Sequence, residues 1–184
     1  QSAQLVGGTP LDRPEDVEIH PHTGDVYISL TNNDKKKNYY GSILKIREEN
    51  NNPLATRFEH STFITGGPDM GFACPDNLVF DRVGNLWMCS DIYEKDMERD
   101  EYDAFSANGL YVIPTAGKSA GQVIPVASAP MDAEFTGPCF SPDQKTLFLS
   151  VQHPGESVQR KGRVSSHWPD GGDSIARPAV IQMS

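Results

Sequence analysis

Cysteine is scarce in this 184-residue chain, with only Cys74, Cys89 and Cys139. None stands in a CxxC or Cys/His spacing, which excludes a structural zinc site as the organising device. Cys89 and Cys139 fall in strand-like runs and are expected as small buried residues. Cys74 precedes a Pro-Asp pair, and its sequence context leaves a buried thiol, a metal ligand and a disulfide half all open. Positive charge is also short: 16 Lys and Arg face 25 Asp and Glu, for a net charge of −9. That balance argues against nucleic acid and anionic membranes as partners, and clustered carboxylates favour cations. Long hydrophobic runs are missing, so no segment is expected to span a bilayer. There is no Asn-x-Ser/Thr sequon and no signal-peptide pattern, and Gln1 is not an initiator Met. A processed chain or a piece of a longer one is expected. The two tryptophans, Trp87 and Trp168, are expected to pack.

Turn chemistry is abundant. With 16 Gly, 14 Pro and 37% hydrophobic residues, the composition suits many short strands joined by turns. The clearest unit runs from Arg13 to Asn33. Val17 and Ile19 alternate with charged neighbours, Pro21 to Gly24 is a turn, and Val26 to Leu30 is a second strand. A hairpin sets the start of its first strand beside the end of its second. Arg13 and Glu15 are therefore expected near Thr31, Asn32 and Asn33.

The unit recurs. Pro75-Asp76-Asn77-Leu78-Val79-Phe80, a turn at Gly84 and Asn85 to Asp91 form the second copy; Thr136 to Asp143 and Thr146 to His153 form the third. Ile19, Phe80 and Phe140 correspond at a period of about 60 residues. Each unit has room for more strands: Gly41 to Ile46 and Gly109 to Ile113 as third, Thr56 to Glu59 and Gln122 to Val126 as fourth. Ala179 to Met183 closes the last unit. The expectation is all-β, about three four-stranded blades of a β-propeller, near residues 13–64, 73–130 and 133–184. Three repeats make half a ring. The remainder of the propeller must come from the same polypeptide, a second chain or a symmetric copy.

A propeller gathers the starts of its inner strands on one face. That places Glu15, Asp76 and Glu134 together, with Asn32, Asn33, Asp91, Gln152 and His153 from the second strands. Their oxygens are hard ligands suited to Ca²⁺ or Mg²⁺ and tolerable to Fe or Mn, whereas a lone acid would cap a turn or pair with a base. Arg13 can hold a phosphate or carboxylate by a bidentate contact. His153 ends a buried strand and reads equally as a structural or a functional residue. The insertion Ile92 to Asn108 is rich in acids. It fails the EF-hand pattern and reads as a solvated loop beside the site, forming a rim or lid. Lys35 to Lys37 and Gln159 to Arg163 read as polar loops.

These motifs resemble the PhoX-type alkaline phosphatases. The residues that carry the resemblance are Asp12-Arg13-Pro14-Glu15, Val26 to Asn33, Tyr40-Gly41-Ser42-Ile43, Pro75-Asp76-Asn77-Leu78, Phe140-Ser141-Pro142-Asp143, Gln152-His153-Pro154-Gly155-Glu156 and Ser166 to Gly171. The match covers nearly the whole chain and corresponds to the C-terminal half of the family; the N-terminal half, with its own metal ligands including a cysteine, is absent. Asn77 and Ile92 stand where the family usually has Gly. The resemblance implies a six-bladed propeller, periplasmic or extracellular, whose calcium- and iron-containing site hydrolyses phosphomonoesters. By motif match Arg13 binds phosphate as the catalytic arginine, Glu15 is a metal ligand, and Asp76, Asp91 and Glu134 are further ligands. Asn33 and His153 are candidate substrate contacts. A non-catalytic, calcium-stabilised secreted structural or binding propeller is the alternative, and a lactonase-like propeller hydrolase is a third.

Overall fold

A computed structural model describes residues 5–156 and 165–184; the basic stretch 159–163 lies outside them. The architecture is all-β, with five short 3-10 segments between the strands among the described residues. The first sheet comprises β1 (Pro14–Ile19), β2 (Val26–Leu30), β3 (Ser42–Glu48) and β4 (Phe58–Thr65). The second comprises β5 (Pro75–Phe80), β6 (Leu86–Ser90), β7 (Gly109–Ile113) and β8 (Ile124–Ser128). The third has three strands among the described residues, β9 (Glu134–Phe140), β10 (Leu147–Gln152) and β11 (Ala179–Met183). All pairings are antiparallel between sequential neighbours, as in propeller blades.

The sheets stack through their alternating apolar faces. Tyr27 and Ile43 of the first blade pack on Leu78, Phe80, Leu86, Met88 and Ile113 of the second. Cys89 and Leu110 of the second meet Phe135, Leu147, Leu149 and Val151 of the third, with Trp87 and Trp168 against them. Polar latches tie the inner strands at the same level. The Asp16 carboxylate on β1 accepts the Leu78 N–H of β5 at 2.8 Å. Asn77 Oδ1 on β5 accepts from the Thr136 hydroxyl and from the Gly137 N–H of β9. Asn77 thus links two blades.

Four expectations need correction. The fourth strand of blade two runs Ile124–Ser128 rather than Gln122 to Val126, and that of blade one runs Phe58–Thr65, further along than Thr56 to Glu59. Most of it is exposed, so its polar sequence shows no period of two. Cys139, on β9, is exposed, while Cys74 and Cys89 are buried; all three are free. The acidic insertion is anchored as well as solvated. Ile92 and Tyr102 are buried in a cluster with Ala73 and Cys74, flanked by Tyr39, Tyr40, Met97 and Phe105. The Tyr102 hydroxyl donates to the Tyr39 carbonyl at 2.6 Å, and Arg99 lies over both tyrosine rings while pairing with Asp34.

Among the described residues, nothing covers one face of blade one. Val17 and Ile19 are 55% and 63% exposed, and Leu11, Leu30, Leu44, Ile46 and Phe58 line a cleft of about 320 Å³ there. Among the described residues, no helix is long and apolar enough to cross a membrane.

Candidate metal and phosphate site

Each inner strand is opened by a residue with left-handed backbone: Arg13 (φ 51°), Cys74 (φ 51°) and Asp132 (φ 53°). The acid follows two residues later in every case, as Glu15, Asp76 and Glu134. Left-handed non-glycine residues are strained and gather where the surrounding structure requires them. The proline that follows Arg13 and Cys74 hides this feature in the sequence, because a residue before proline normally reads as extended. The turn redirects the chain so that Thr31 N–H donates to Arg13 O at 3.0 Å and Asp91 N–H to Cys74 O at 2.9 Å. Thr31 and Asp91 are the first residues past the second strands, which brings the two strand ends together as the hairpin argument requires.

Asp76, Asp91 and Glu134 form a cluster in which each offers an oxygen within 4.8 Å of the others. The acids come from three places: the start of β5, the end of β6 and the start of β9. Glu134 is buried, and its Oε2 has no hydrogen-bond partner. Burial, then the neighbouring Asp91 and Asp76, raises its affinity for a proton well above the usual carboxylate range. Asp76 is pushed up to about 6, by burial first and then by Asp91, Glu15 and Asp16, with Arg13 opposing. Three converging carboxylates and an unpaired buried oxygen are costly for a protein alone and suit a hard cation, which takes oxygen ligands. The donor set therefore fits a hard, oxygen-binding cation.

Arg13 is exposed beside this cluster. Its Nη1 donates to Asn32 Oδ1 at 3.1 Å and its Nη2 to Glu15 Oε1 at 3.3 Å. Glu15 is also exposed and lies with Arg13 rather than within the three-carboxylate cluster. Asn32 in turn donates to the Cys74 sulfur at 3.8 Å. Burial pushes the Cys74 thiol up to about 12, so it is an inert thiol here. Asn33 sits at the edge: its Nδ2 donates to Asp12 at 2.7 Å, and its Oδ1 caps the 3-10 turn Asp34–Lys36 by accepting Lys36 N–H. His153, at φ 38°, places Nε2 3.2 Å from Glu134 Oε1 and Nδ1 3.0 Å from Glu156. Gln152 pairs with Glu134 in the sheet register and is exposed.

The site also contains a residue that the sequence did not mark. Asn108 closes the acidic insertion, is buried, and contacts the chain next to both Asp91 and Glu134. The signal was a lone Asn before Gly109 at the start of a strand, which reads as ordinary turn chemistry.

A search of curated proteins finds no match. A family profile described as "Alkaline phosphatase PhoX" matches residues 1–155. Among solved structures, the chain is similar to Pseudomonas fluorescens PhoX in complex with vanadate, a transition state analogue, at a TM-score of 0.85 and 29% identity. That alignment covers 98% of this chain and 35% of the Pseudomonas protein. With its blades, its inner-strand acids and the profile running through all but the last strand, the chain belongs to the PhoX family of alkaline phosphatases.

Proposed function

We propose that this chain carries the metal- and phosphate-binding part of a PhoX-type phosphoric monoester hydrolase. The observation that carries the reading is the Asp76–Asp91–Glu134 cluster with its buried, unpaired Glu134 oxygen. These three residues would hold the cation, with Glu15 as a further ligand from the Arg13 side. Calcium and iron(III) are the ions the family resemblance implies, and both accept oxygen donors. A cation bound there supplies Lewis acidity toward phosphoryl oxygens.

The chain's own groups do the rest. Arg13 presents a planar fork of donors at the mouth, exposed and held in place by Asn32 and Glu15. It can exchange the Glu15 carboxylate for phosphoryl oxygens while Asn32 keeps its hold, and so offset their charge. Preorganisation of this kind costs little at the moment of reaction, because Asn32 already fixes the guanidinium. His153 sits against Glu134 and can hold or pass a proton at Nε2. Asn33 shapes the rim. That the Pseudomonas structure holds vanadate supports a phosphoryl-type ligand for this site.

The uncovered apolar face of blade one supports a ring completed by further blades, from the same polypeptide, a second chain or a symmetric copy. The resemblance to a secreted family supports a periplasmic or extracellular location for the working protein.

The test is hydrolysis of p-nitrophenyl phosphate by the intact protein, before and after chelation, with Glu134→Gln alongside. Activity lost on chelation and restored by added metal is expected, as is an inactive Glu134→Gln. Activity indifferent to chelator overturns the metal reading. Tight calcium binding without hydrolysis would instead establish the non-catalytic alternative.

A further inference from the structure

We propose that Asn108 is the positioning residue that holds Asp91 and Glu134, on two different blades, in mutual range; the proposal rests on the metal reading above. Asn108 stands between the acidic insertion and β7. Its side chain is buried and has no spare valence. Oδ1 accepts the Ile92 N–H at 2.6 Å and the Ser90 hydroxyl at 3.4 Å. Nδ2 donates to the Ile92 carbonyl at 3.1 Å and to the Ala133 carbonyl at 3.3 Å. The Asn108 backbone carbonyl accepts from Ala129 N–H at 2.8 Å, and Ser90 Oγ accepts the Gly109 N–H at 3.0 Å.

Two features of this network set it apart from a turn cap. First, the amide grips both backbone groups of Ile92, as a neighbouring strand would. It therefore continues the ladder one step past β6, which ends at Ser90, and Asp91 lies between the two points held. Second, its remaining donor crosses to the next blade and binds Ala133, the residue before Glu134. One side chain thus fixes the backbone on the flank of two acids whose oxygens lie within 4.8 Å of each other.

Asparagine alone meets the demand at this size. Aspartate would turn acceptors toward the Ile92 and Ala133 carbonyls, leucine would fill the space and leave four polar groups unmet, and glutamine is one methylene too long. The amide orientation follows from the same contacts, because the Ile92 N–H requires the oxygen on its side.

The experiment compares calcium affinity with stability in the intact protein. Asn108→Leu and Asn108→Ser are titrated calorimetrically with calcium alone. Asp81→Asn is the control: Asp81 ties the turn at the far end of the same blade, taking Asn85 and Trp87, and is remote from the acids. Losing an outer-shell partner of this kind weakens metal binding about 10-fold or more, so both Asn108 variants should do so while Asp81→Asn stays within about 2-fold at a similar loss of thermal midpoint. If Asn108→Leu does not fold, Asn108→Ser, which keeps a hydroxyl and a small side chain, decides. Asn108 variants that lose stability yet bind calcium like the wild type overturn the positioning role and leave the metal reading intact. A wild-type protein that takes up no calcium overturns both.

Discussion

Replacing Asp25 with asparagine should destabilise the protein at neutral pH and do so much less in acid. Asp25 precedes β2 at the end of blade one away from the acids, and its side chain is 1% exposed. Arg47 Nε and Nη2 each donate to it at 2.8 Å, and Lys45 Nζ lies 2.7 Å away, over the Tyr27 ring. Breaking a fully buried pair from one side costs about 3–5 kcal/mol. Arg47 is half in water and can rehydrate, which brings the expected loss for Asp25→Asn to about 2 kcal/mol at pH 7. The Arg47 guanidinium, with Lys45, holds the Asp25 carboxyl far below the usual carboxylate range. A depressed folded-state pKa gives stability that is complete above the unfolded value, about 3.9, and is lost as the pH falls toward the folded value. At pH 3 the folded carboxylate is still charged while the unfolded one is mostly protonated, and about 1 kcal/mol of the advantage is gone. Asparagine has no such titration, and the other acids cancel in the difference. Urea unfolding of both proteins at pH 7 and pH 3, followed by tryptophan fluorescence, reads the gap directly. A gap of equal size at both pH values would refute the reasoning.

Further outcomes follow from contacts already described. Arg13→Ala should abolish binding of inorganic phosphate, measured by calorimetry on the intact protein, with little change in thermal midpoint, because the side chain is exposed; unchanged affinity would remove Arg13 from the site. Asn77→Ala should cost about 1 kcal/mol by removing the acceptor shared by two β9 donors that water can partly replace, and amide exchange at Gly137 should speed up; unchanged protection there would show the latch to be idle. The isolated 184-residue chain should self-associate through the face bearing Val17, Ile19 and Phe58. A monomer in sedimentation with cooperative unfolding would contradict the half-ring reading.

The hairpins were legible because a half-buried strand writes its period into the sequence and the turns at Pro21–Gly24 and Gly84 punctuate it. The gathering of Arg13 with Asn32, and of Asp76 with Asp91, followed from hairpin geometry alone. The approach of Glu134 to Asp91 was expected from the propeller reading, in which inner-strand starts share one face, but its close spacing depends on how blades two and three are stacked. The same holds for Asp16, Asn77 and Asn108, whose partners lie on neighbouring strands distant in sequence. β4 was misplaced because an exposed outer strand needs no apolar alternation. The insertion looked wholly solvated because its anchors, Tyr102 and Phe105, are outnumbered by acids.

The left-handed residue at the head of each inner strand separates where a group stands from what the group is. Arg13, Cys74 and Asp132 occupy equivalent posts set by the main chain. Glycine would stand there without strain, and each of these residues accepts on the order of 1 kcal/mol to be there instead. A duplicated hairpin that inherits this dihedral inherits a mounting point, and a single codon then decides what is mounted: a cation, a thiol or an acid. Successive copies of one fold unit can diverge in the groups they present without any change to the scaffold that holds them.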